Sequence, residues 1–552
     1  MRWMLIFTFF APWLASAFTL PPRGEALRYL PIQDGGRVKP FDIFAREKLE
    51  MVYGKQRFEG REAYEIILTW MLSPEAWRDK AIFEVRNRRI LESLSLDSGR
   101  RYFRGDEIFS SPQLQPLMME LQNKREAKEK LTPYFQDLQR LENQFFVFRE
   151  IASGRLLRLV PDSNPEVSSW KSVPDFDEKF QQSFIKVTQA FIETLTFATR
   201  EVEKQERMEG ADRLDQAVGQ FEAQAKEVRP EAFPSETKIR AEIHLIDFHP
   251  FRWAYVFYIF SALSLMMIWV FSEKQRTVSL FSKGAWWLAG LGLALHTYGF
   301  LLRTYIMDRA PVSNMYETVV WVSWGALVFA FVLEAIYKFR FILFAGLLGG
   351  IFCLVLADNA PAVLDPTLQP LEAVLRSNYW LIVHVMTITI SYAAFLLAFV
   401  LGDVGLFYYL RGADQYKKEI RDIVTGIYRS IQIGVAFLAP GIILGGIWAD
   451  ASWGRFWGWD PKEVWALIAL LGYLIIFHGR LAGFIKDFGM VASGVVSFSL
   501  VIMAWYGVNY VLGAGLHSYG FGAGGVEYVT GFVLIHFVYV ALASWRHFSK
   551  AP

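Results

Sequence analysis

From Trp253 onward, the chain repeats apolar runs of the length that crosses a lipid bilayer. A run of about 20 residues matches a hydrocarbon core of roughly 30 Å. Such runs lie at 253–271, 284–302, 316–336, 341–357, 379–402, 431–448, 464–478, 488–511 and 527–545. This pattern predicts an all-α polytopic membrane protein with about nine transmembrane helices. The membrane domain is expected to cover residues 251–546, with a cytoplasmic tail at 547–552.

The part of the chain before residue 250 is rich in charge and is predicted to be a separate domain. Residues 1–17 contain Arg2, a short apolar core and Ala15-Ser16-Ala17, which is typical of a secretory signal peptide, with an uncleaved anchor as the alternative. Residues 18–250 are then an exported, mainly helical domain. It has a turn-rich start at 31–40 and helical patterns at 114–148 and 180–224, and no catalytic constellation gives it a role.

Charge and cysteine content exclude several classes of function. The net charge is +2 and no basic stripe indicates nucleic acid. Cys353 is the single cysteine, so the chain has no disulfide, and without a CxxCH motif it is not itself a c-type cytochrome.

The loop charges predict which ends of the spans face outward. If the N-terminal domain is exported, the inner loops hold fourteen basic residues: Lys274, Arg276, Lys283, Lys338, Arg340, Arg411, Lys417, Lys418, Arg421, Arg429, Arg480, Lys486, Arg546 and Lys550. The outer segments hold five: Arg303, Arg309, Arg376, Arg455 and Lys462. This excess inside follows the positive-inside rule and agrees with the signal peptide. The outer five are therefore candidates for binding an anion.

An aromatic loop at 453–463, with the sequence WGRFWGWDPKE, separates two of the spans. Its tryptophans Trp453, Trp457 and Trp459 offer flat faces, and glycines such as Gly454 let a ligand approach the backbone. Interfacial tryptophans also serve as simple membrane anchors, but anchors need no glycine spacers. The loop therefore predicts a large, planar, amphipathic ligand. Asp460 and Glu463 are expected to cap the following helix, with Pro461 in its first turn.

Two histidines are predicted to reach the level of this loop. His384 lies just inside the outer end of its span, and His517 lies in the last outer loop. Two neutral imidazoles, aromatic faces and basic groups for propionates are what an iron porphyrin requires. A hydrogen-bonded interfacial histidine is the alternative for either residue taken alone.

The remaining membrane histidines lie at other depths. His478 follows Glu463 by 15 residues, so it is roughly 22 Å deeper and would serve a second heme near the inner leaflet. His296 is a possible partner for His478, although their depths differ by about 13 Å. No span carries two histidines, which excludes a diheme cytochrome b with paired ligands on one helix.

The aromatic loop and its flanking histidines resemble the WWD signature of heme-handling membrane proteins, and specifically the CcsA (ResC) family of System II cytochrome c biogenesis. Residues 299–303 with 310–317, and 509–520, are also similar to motifs of that family. The resemblance covers about 240–545. It implies that His384 and His517 are the axial ligands of a heme b held at the WWD loop. It also implies that His478 is a transmembrane ligand of a second heme.

The resemblance further implies transport of heme to the outer face of the bacterial cytoplasmic membrane and its attachment to the CxxCH thiols of apocytochrome c. The implied partners are a CcsB (ResB)-like membrane protein, the apocytochrome and a thiol-reducing thioredoxin-like protein. The chain would then be the core of a holocytochrome c synthase, with the N-terminal domain and the heme loops in the periplasm. Its site residues would include Trp453, Gly454, Trp457, Trp459, Asp460, Arg303 and Arg455, with His296 as a fallback ligand.

Two other functions remain open from the residues alone. A membrane glycosyltransferase would also place tryptophans against its substrate and use an outward Asp as a base, but it would not need outer histidines on both sides of the loop. A heme exporter without ligation activity is the second alternative.

Overall fold

The computed structural model describes residues 24–129, 131–199, 203–271, 275–361, 363–370, 379–512 and 525–549. The chain divides into two compact units, residues 1–247 and residues 248–552. The predicted signal peptide at 1–17 lies outside the described residues, and export of the first unit stays a prediction.

The described part of the first unit is mainly helical and has four short, two-stranded antiparallel sheets. Its helices are α1 Ala26–Tyr29, α2 Phe41–Tyr53, α3 Ala63–Leu72, α4 Arg88–Ser93, α5 Gly105–Phe109, α6 Leu114–Glu126, α7 Pro133–Ala152, α8 Glu178–Thr199, α9 Lys204–Val228 and α10 Glu236–Phe248. Its strands pair as β1 Pro31–Asp34 with β2 Arg37–Pro40, β3 Arg57–Phe58 with β4 Arg61–Glu62, β5 Phe83–Glu84 with β6 Tyr102–Phe103, and β7 Arg158–Val160 with β8 Lys171–Ser172. One hydrophobic core joins these elements through side chains such as Phe44, Trp70 and Phe221.

The long helical pattern predicted at 114–148 is interrupted in the structure. Helix α6 ends at Glu126, and α7 begins at Pro133. Proline lacks an amide hydrogen and pushes the preceding residue, Thr132, out of helical geometry. Thr132 accordingly has an extended backbone and stands at the N-terminus of α7.

The second unit consists of long apolar helices. They are α11 Pro250–Val270, α12 Gln275–Met307, α13 Met315–Tyr337, α14 Phe341–Asn359, α15 Tyr379–Gly412, α16 Lys417–Trp453, α17 Pro461–Leu481, α18 Asp487–Val496, α19 Phe498–Ile502 and α20 Val526–Phe548. A π-helical segment, Met503–Leu512, continues α19. Among the described residues, eight continuous helical runs are long and apolar enough to span a membrane. The prediction of an all-α polytopic membrane protein is confirmed.

The longest run, Tyr379–Trp453, contains two of the nine predicted spans. Gly412 has a φ of +122°, which only glycine adopts readily, and it separates α15 from α16. These two helices pack against each other more extensively than any other pair in this unit. Small residues permit their close approach: a Cβ added at Gly441 would stand 2.8 Å from the Ile388 side chain. The α15–α16 pair is the framework on which the candidate site is built.

Candidate functional site

The aromatic loop is held between the end of α16 and the start of α17. Gly454, in the left-handed region with φ +68°, ends α16. The Asp460 carboxylate accepts the Lys462 amide at 3.0 Å, while Glu463 Oε2 accepts the amides of Gly458 at 2.8 Å and Asp460 at 3.1 Å. This capping box, with Pro461 at the first helical position, confirms the predicted capping.

A pocket with a cavity of about 290 Å³ lies beneath this loop. Its walls come from the start of α13 and the segment before it, from α15, α16 and α17, and from the π-helical segment. The aromatic loop contributes Phe456 and Trp457, and the π-helical segment contributes Trp505 and Asn509. π-Helical turns are rare and often occur at functional sites. We refer to this cavity as the His384 pocket, because the His384 imidazole also lines it.

The His384 imidazole is fixed by a backbone carbonyl. Its Nδ1 lies 2.8 Å from the Gly441 oxygen on α16. A carbonyl can only accept, so Nδ1 carries the hydrogen, and in the neutral ring Nε2 carries the lone pair. The ring lies parallel to the Trp448 indole, with centroids 6.4 Å apart and planes 8° apart. The His384 ring is thus held in one orientation, and its Nε2 is the nitrogen that can act as a base or a metal ligand.

Two adjacent glycines of α16 make room for two rings. A Cβ at Gly445 would stand 2.5 Å from His384 Cε1 and 2.8 Å from its Nδ1. A Cβ at Gly446 would stand 2.5 Å from Phe456 Cζ. Carbon atoms in ordinary contact are about 3.5–4.0 Å apart. Neither ring would therefore keep its place beside an alanine, and sequence analysis had not singled out these glycines.

The loop tryptophans occupy different environments. Trp453 ends α16 and packs edge-on against Trp448 at 4.7 Å, in a small core with Leu381. Trp459 is 71% exposed, has a positive φ of +57°, and lies perpendicular to Trp457 at 5.9 Å. Of the three predicted tryptophans, only Trp457 lines the His384 pocket.

The predicted basic residues also divide into distinct groups. Arg303, only 4% exposed, donates to Glu317 at 3.0 Å and to the Pro366 carbonyl at 3.0 Å. Arg309 contacts the second Glu317 oxygen at 2.8 Å and lines the pocket. Glu317 is itself 1% exposed, and sequence analysis missed it as a charge partner. A carboxylate in the first turn of an apolar span was the available signal.

Two further basic residues belong to the loop region. Lys462 lines the pocket and donates to Asn509 Oδ1 at 3.3 Å. The Arg455 guanidinium lies in the space that a side chain at Gly458 would take, within the loop itself.

Two of the other predicted histidines, His478 and His296, do not line this pocket. His478 is exposed near the end of α17, and its Nδ1 is 2.8 Å from the Leu474 carbonyl. His296 is fully buried, and its Nδ1 and Nε2 contact the Tyr258 hydroxyl and the Val320 carbonyl, each at 3.1 Å. Neither nitrogen of His296 is available to iron in this arrangement. His517 and Arg376 lie outside the described residues.

The sequence is similar to known cytochrome c assembly proteins. Residues 312–517 match the family model described as cytochrome c assembly protein. The chain is 31% identical to the cytochrome c biogenesis protein CcsA of Parasynechococcus marenigrum over 285 residues, 46% of this chain and 90% of that protein. It is 33% identical to CcsA of Chlorella vulgaris over 275 residues, 42% of this chain and 85% of that protein.

A longer match extends into the first unit. Protein NrfI of Wolinella succinogenes is 30% identical over 513 residues, which cover 88% of this chain and 53% of that protein. The chain thus spans about half the length of NrfI.

Proposed function

The chain belongs to the CcsA family of cytochrome c assembly proteins, and from this premise we propose that it holds heme b in the His384 pocket and presents it for covalent attachment to apocytochrome c. A role in cytochrome c assembly follows from the family, whose members handle heme. Heme binding by particular residues, its export and its ligation are the proposal. The oriented imidazole of His384 is the observation that carries it.

His384 has the properties of an axial ligand of heme iron. Iron binds the neutral imidazole through a nitrogen lone pair, and a hydrogen bond from the other nitrogen fixes the ring and raises its basicity. The Gly441 carbonyl accepts that hydrogen bond at 2.8 Å. Gly445 has no side chain, and the His384 ring occupies the space that a Cβ there would take. The residues present therefore fit an iron porphyrin.

The pocket walls match the other parts of such a ligand. Aromatic side chains, among them Trp457 and Trp505, offer apolar faces to a macrocycle. Arg309 and Lys462 line the same pocket and suit carboxylate groups such as propionates. We assign Arg303 a positioning role, because Glu317 holds it away from the pocket wall. Arg455 is proposed to hold the aromatic loop in place, because its guanidinium packs against the backbone at Gly458.

The second axial ligand is proposed to be His517, which rests on the family resemblance. Reduced heme supplies the vinyl groups to which the two CxxCH thiols add. During this reaction the histidine of CxxCH would replace one of the two imidazoles that would hold the heme. We assign that exchange to His517, because His384 is held by α16 and a residue of an outer loop is the easier of the two to release.

His478 is proposed as a ligand of a second heme, shared with a partner protein. Its Nδ1 donates to the Leu474 carbonyl, so the lone pair of the neutral ring is on Nε2, and the side chain is exposed. The partner is proposed to be a CcsB-like membrane protein that supplies the opposite ligand. With the apocytochrome and a thioredoxin-like reductant, the chain would act as the core of a holocytochrome c synthase in the bacterial cytoplasmic membrane.

An optical spectrum and a heme count of the purified full chain test this proposal. We expect His384→Ala to weaken heme binding in the His384 pocket by at least about tenfold, since loss of even an outer-shell partner of a metal ligand costs about 10- to 100-fold in affinity. His547→Ala is the matched control, since it removes an imidazole that stacks on Phe488 near the end of α20. Wild-type heme retention by His384→Ala, or equal loss in both variants, would refute the assignment. A protein that never binds heme would refute the proposed heme site and leave only the role in cytochrome c assembly that follows from the family.

Ligation is tested separately from binding. Co-expression of an apocytochrome with this chain and a CcsB-like partner is expected to give covalent heme staining that depends on this chain. Heme delivery without any thioether bond would assign the chain to export alone.

A further inference from the structure

A second cleft of about 650 Å³ lies among the membrane helices α11, α14, α15 and α20. It shares no lining residue with the His384 pocket. Most of its wall is apolar and aromatic, with rings from Trp269, Phe344, Phe399 and Phe532. Two of its lining residues are an acid and a base, Asp403 on α15 and His536 on α20. Ionisable side chains within membrane helices are costly and usually mark a function.

The contacts of His536 and Asp403 indicate how many protons the pair carries. His536 Nδ1 is 2.7 Å from the Phe532 carbonyl, so Nδ1 carries a hydrogen. Its Nε2 faces Asp403 Oδ2 at 3.3 Å. Two lone pairs would repel there, so a second proton lies between the two atoms. The pair is therefore neutral as a whole, either as imidazolium and carboxylate or as imidazole and carboxylic acid, which lowers the cost of keeping it in the membrane.

The Asp403 carboxyl has capacity for one more hydrogen bond. Its Oδ1 is buried and has no hydrogen-bond partner among the residues that the structure describes. The side chain is still 25% exposed and lines the cleft. The last torsion of an aspartate is soft, so a small rotation turns either oxygen toward a ligand. An unsatisfied carboxyl oxygen in an apolar wall favours a ligand that donates a hydrogen bond.

The rings around the pair define the rest of that ligand. Phe532 and Phe399 lie 4.3 and 4.9 Å from the His536 ring. Phe352 stacks on Phe532 at 5.6 Å, with planes 22° apart. A planar ring fits among such faces, and an apolar tail would continue among the membrane helices. The cleft does not fit heme, because both His536 nitrogens are already engaged and neither is available to iron.

We propose that this cleft binds a membrane-soluble molecule with a hydroxylated planar ring, that is, a hydroquinone headgroup on an apolar tail. A ring hydroxyl donates to Asp403, and the ring lies among the aromatic side chains beside His536. A lipid acyl chain has neither the ring nor the donor, so it does not account for the acid in the wall. The proposal goes beyond the heme site and is tested without heme.

Equilibrium binding of a radiolabelled short-tailed benzoquinol to the full chain in lipid nanodiscs tests the proposal, with empty nanodiscs to subtract partitioning. We expect saturable binding that Asp403→Asn weakens about tenfold, the loss typical of a hydrogen bond to a charged group. Asp414→Asn is the matched control, because Asp414 lies in the exposed turn between α15 and α16. The dimethyl ether of the same quinol, which has no hydroxyl donor, is the matched ligand.

Val404→Phe adds a ring to the wall of the cleft and leaves Asp403 and His536 unsubstituted, so it keeps the test valid if Asp403→Asn does not fold. We expect it also to abolish saturable binding. Equal binding of the quinol and its dimethyl ether would show that the cleft binds apolar molecules without a hydrogen bond to Asp403, and it would overturn the proposal. So would wild-type affinity in both Asp403→Asn and Val404→Phe. The heme content of each preparation, read from its Soret band, separates a failure here from a failure of the His384 assignment.

Discussion

Gly445→Ala is the perturbation that most directly tests the His384 pocket. The new Cβ would stand 2.5 Å from His384 Cε1, whereas carbon atoms in ordinary contact are about 3.5–4.0 Å apart. The imidazole must therefore withdraw by about 1 Å, which also strains its 2.8 Å bond to Gly441. Overpacking of this kind costs about 1–3 kcal/mol, which corresponds to roughly 5- to 150-fold in affinity.

The helix itself would respond in the opposite direction. Alanine stabilises a helix interior relative to glycine by about 0.5–1 kcal/mol. Gly290→Ala on α12 reports this general effect, because a Cβ there meets nothing within 4 Å. We expect Gly445→Ala to lose roughly 5- to 150-fold in heme affinity, measured by titrating the heme-depleted full chain, while Gly290→Ala stays at the wild-type value. Wild-type heme affinity in a folded Gly445→Ala protein would refute the claim that this glycine seats the ligand.

Three further perturbations follow from the contacts. Glu317→Gln leaves the buried Arg303 without a countercharge, so we expect a loss of about 3–5 kcal/mol, visible as a lower unfolding temperature or as absence of folded protein. Asp460→Ala removes the N-cap of α17, and we expect about 1 kcal/mol of destabilisation with a lower heme content, since the same cap holds the aromatic loop. In the first unit, burial acts to raise the pKa of Asp34, but Lys39 and a second lysine lower it overall. This carboxylate therefore adds stability above its unfolded-state pKa, and that stability is lost as pH falls through the folded-state pKa. Asp34→Asn should flatten the acid limb of the stability curve, measured by denaturation of the full chain between about pH 2 and pH 6.

The fold class was predictable because membrane helices are encoded locally. Nine apolar runs predicted the helices. Eight of them fall within helical runs found among the described residues, and the first, 253–271, extends one residue past the end of α11 at Val270. The start of α17 was predictable because Pro461 suits the first helical position. The start of α7 at Pro133 was missed, because the predicted helical pattern at 114–148 continued through that proline. The π-helical geometry at Met503–Leu512 was not, since no single residue there forbids an α-helix and tertiary packing decides between the two.

The candidate site was predictable only in part. The capping box was readable because its residues are neighbours in sequence. His384 was identified from its depth, and the structure places it in a pocket with Phe456 and Trp457. Sequence could not tell that Trp453 turns into a small core, because that depends on contact with Trp448. The engagement of both His296 nitrogens likewise depends on residues from other helices.

Two of the basic residues on the predicted outer side share one buried carboxylate. Arg303 and Arg309 share one carboxylate, Glu317, so the three side chains together carry a net charge of +1. Arg303 is deeply buried and Arg309 lines the pocket, so the excess positive charge is presented on the pocket side. An isolated arginine at this depth would be costly to bury, and a single ion pair would leave no charge for a ligand. Two arginines around one glutamate satisfy both requirements. Glu317 also accepts the Ser313 amide at 2.9 Å, so a residue that does not line the pocket holds two residues that do, Arg309 and Ser313.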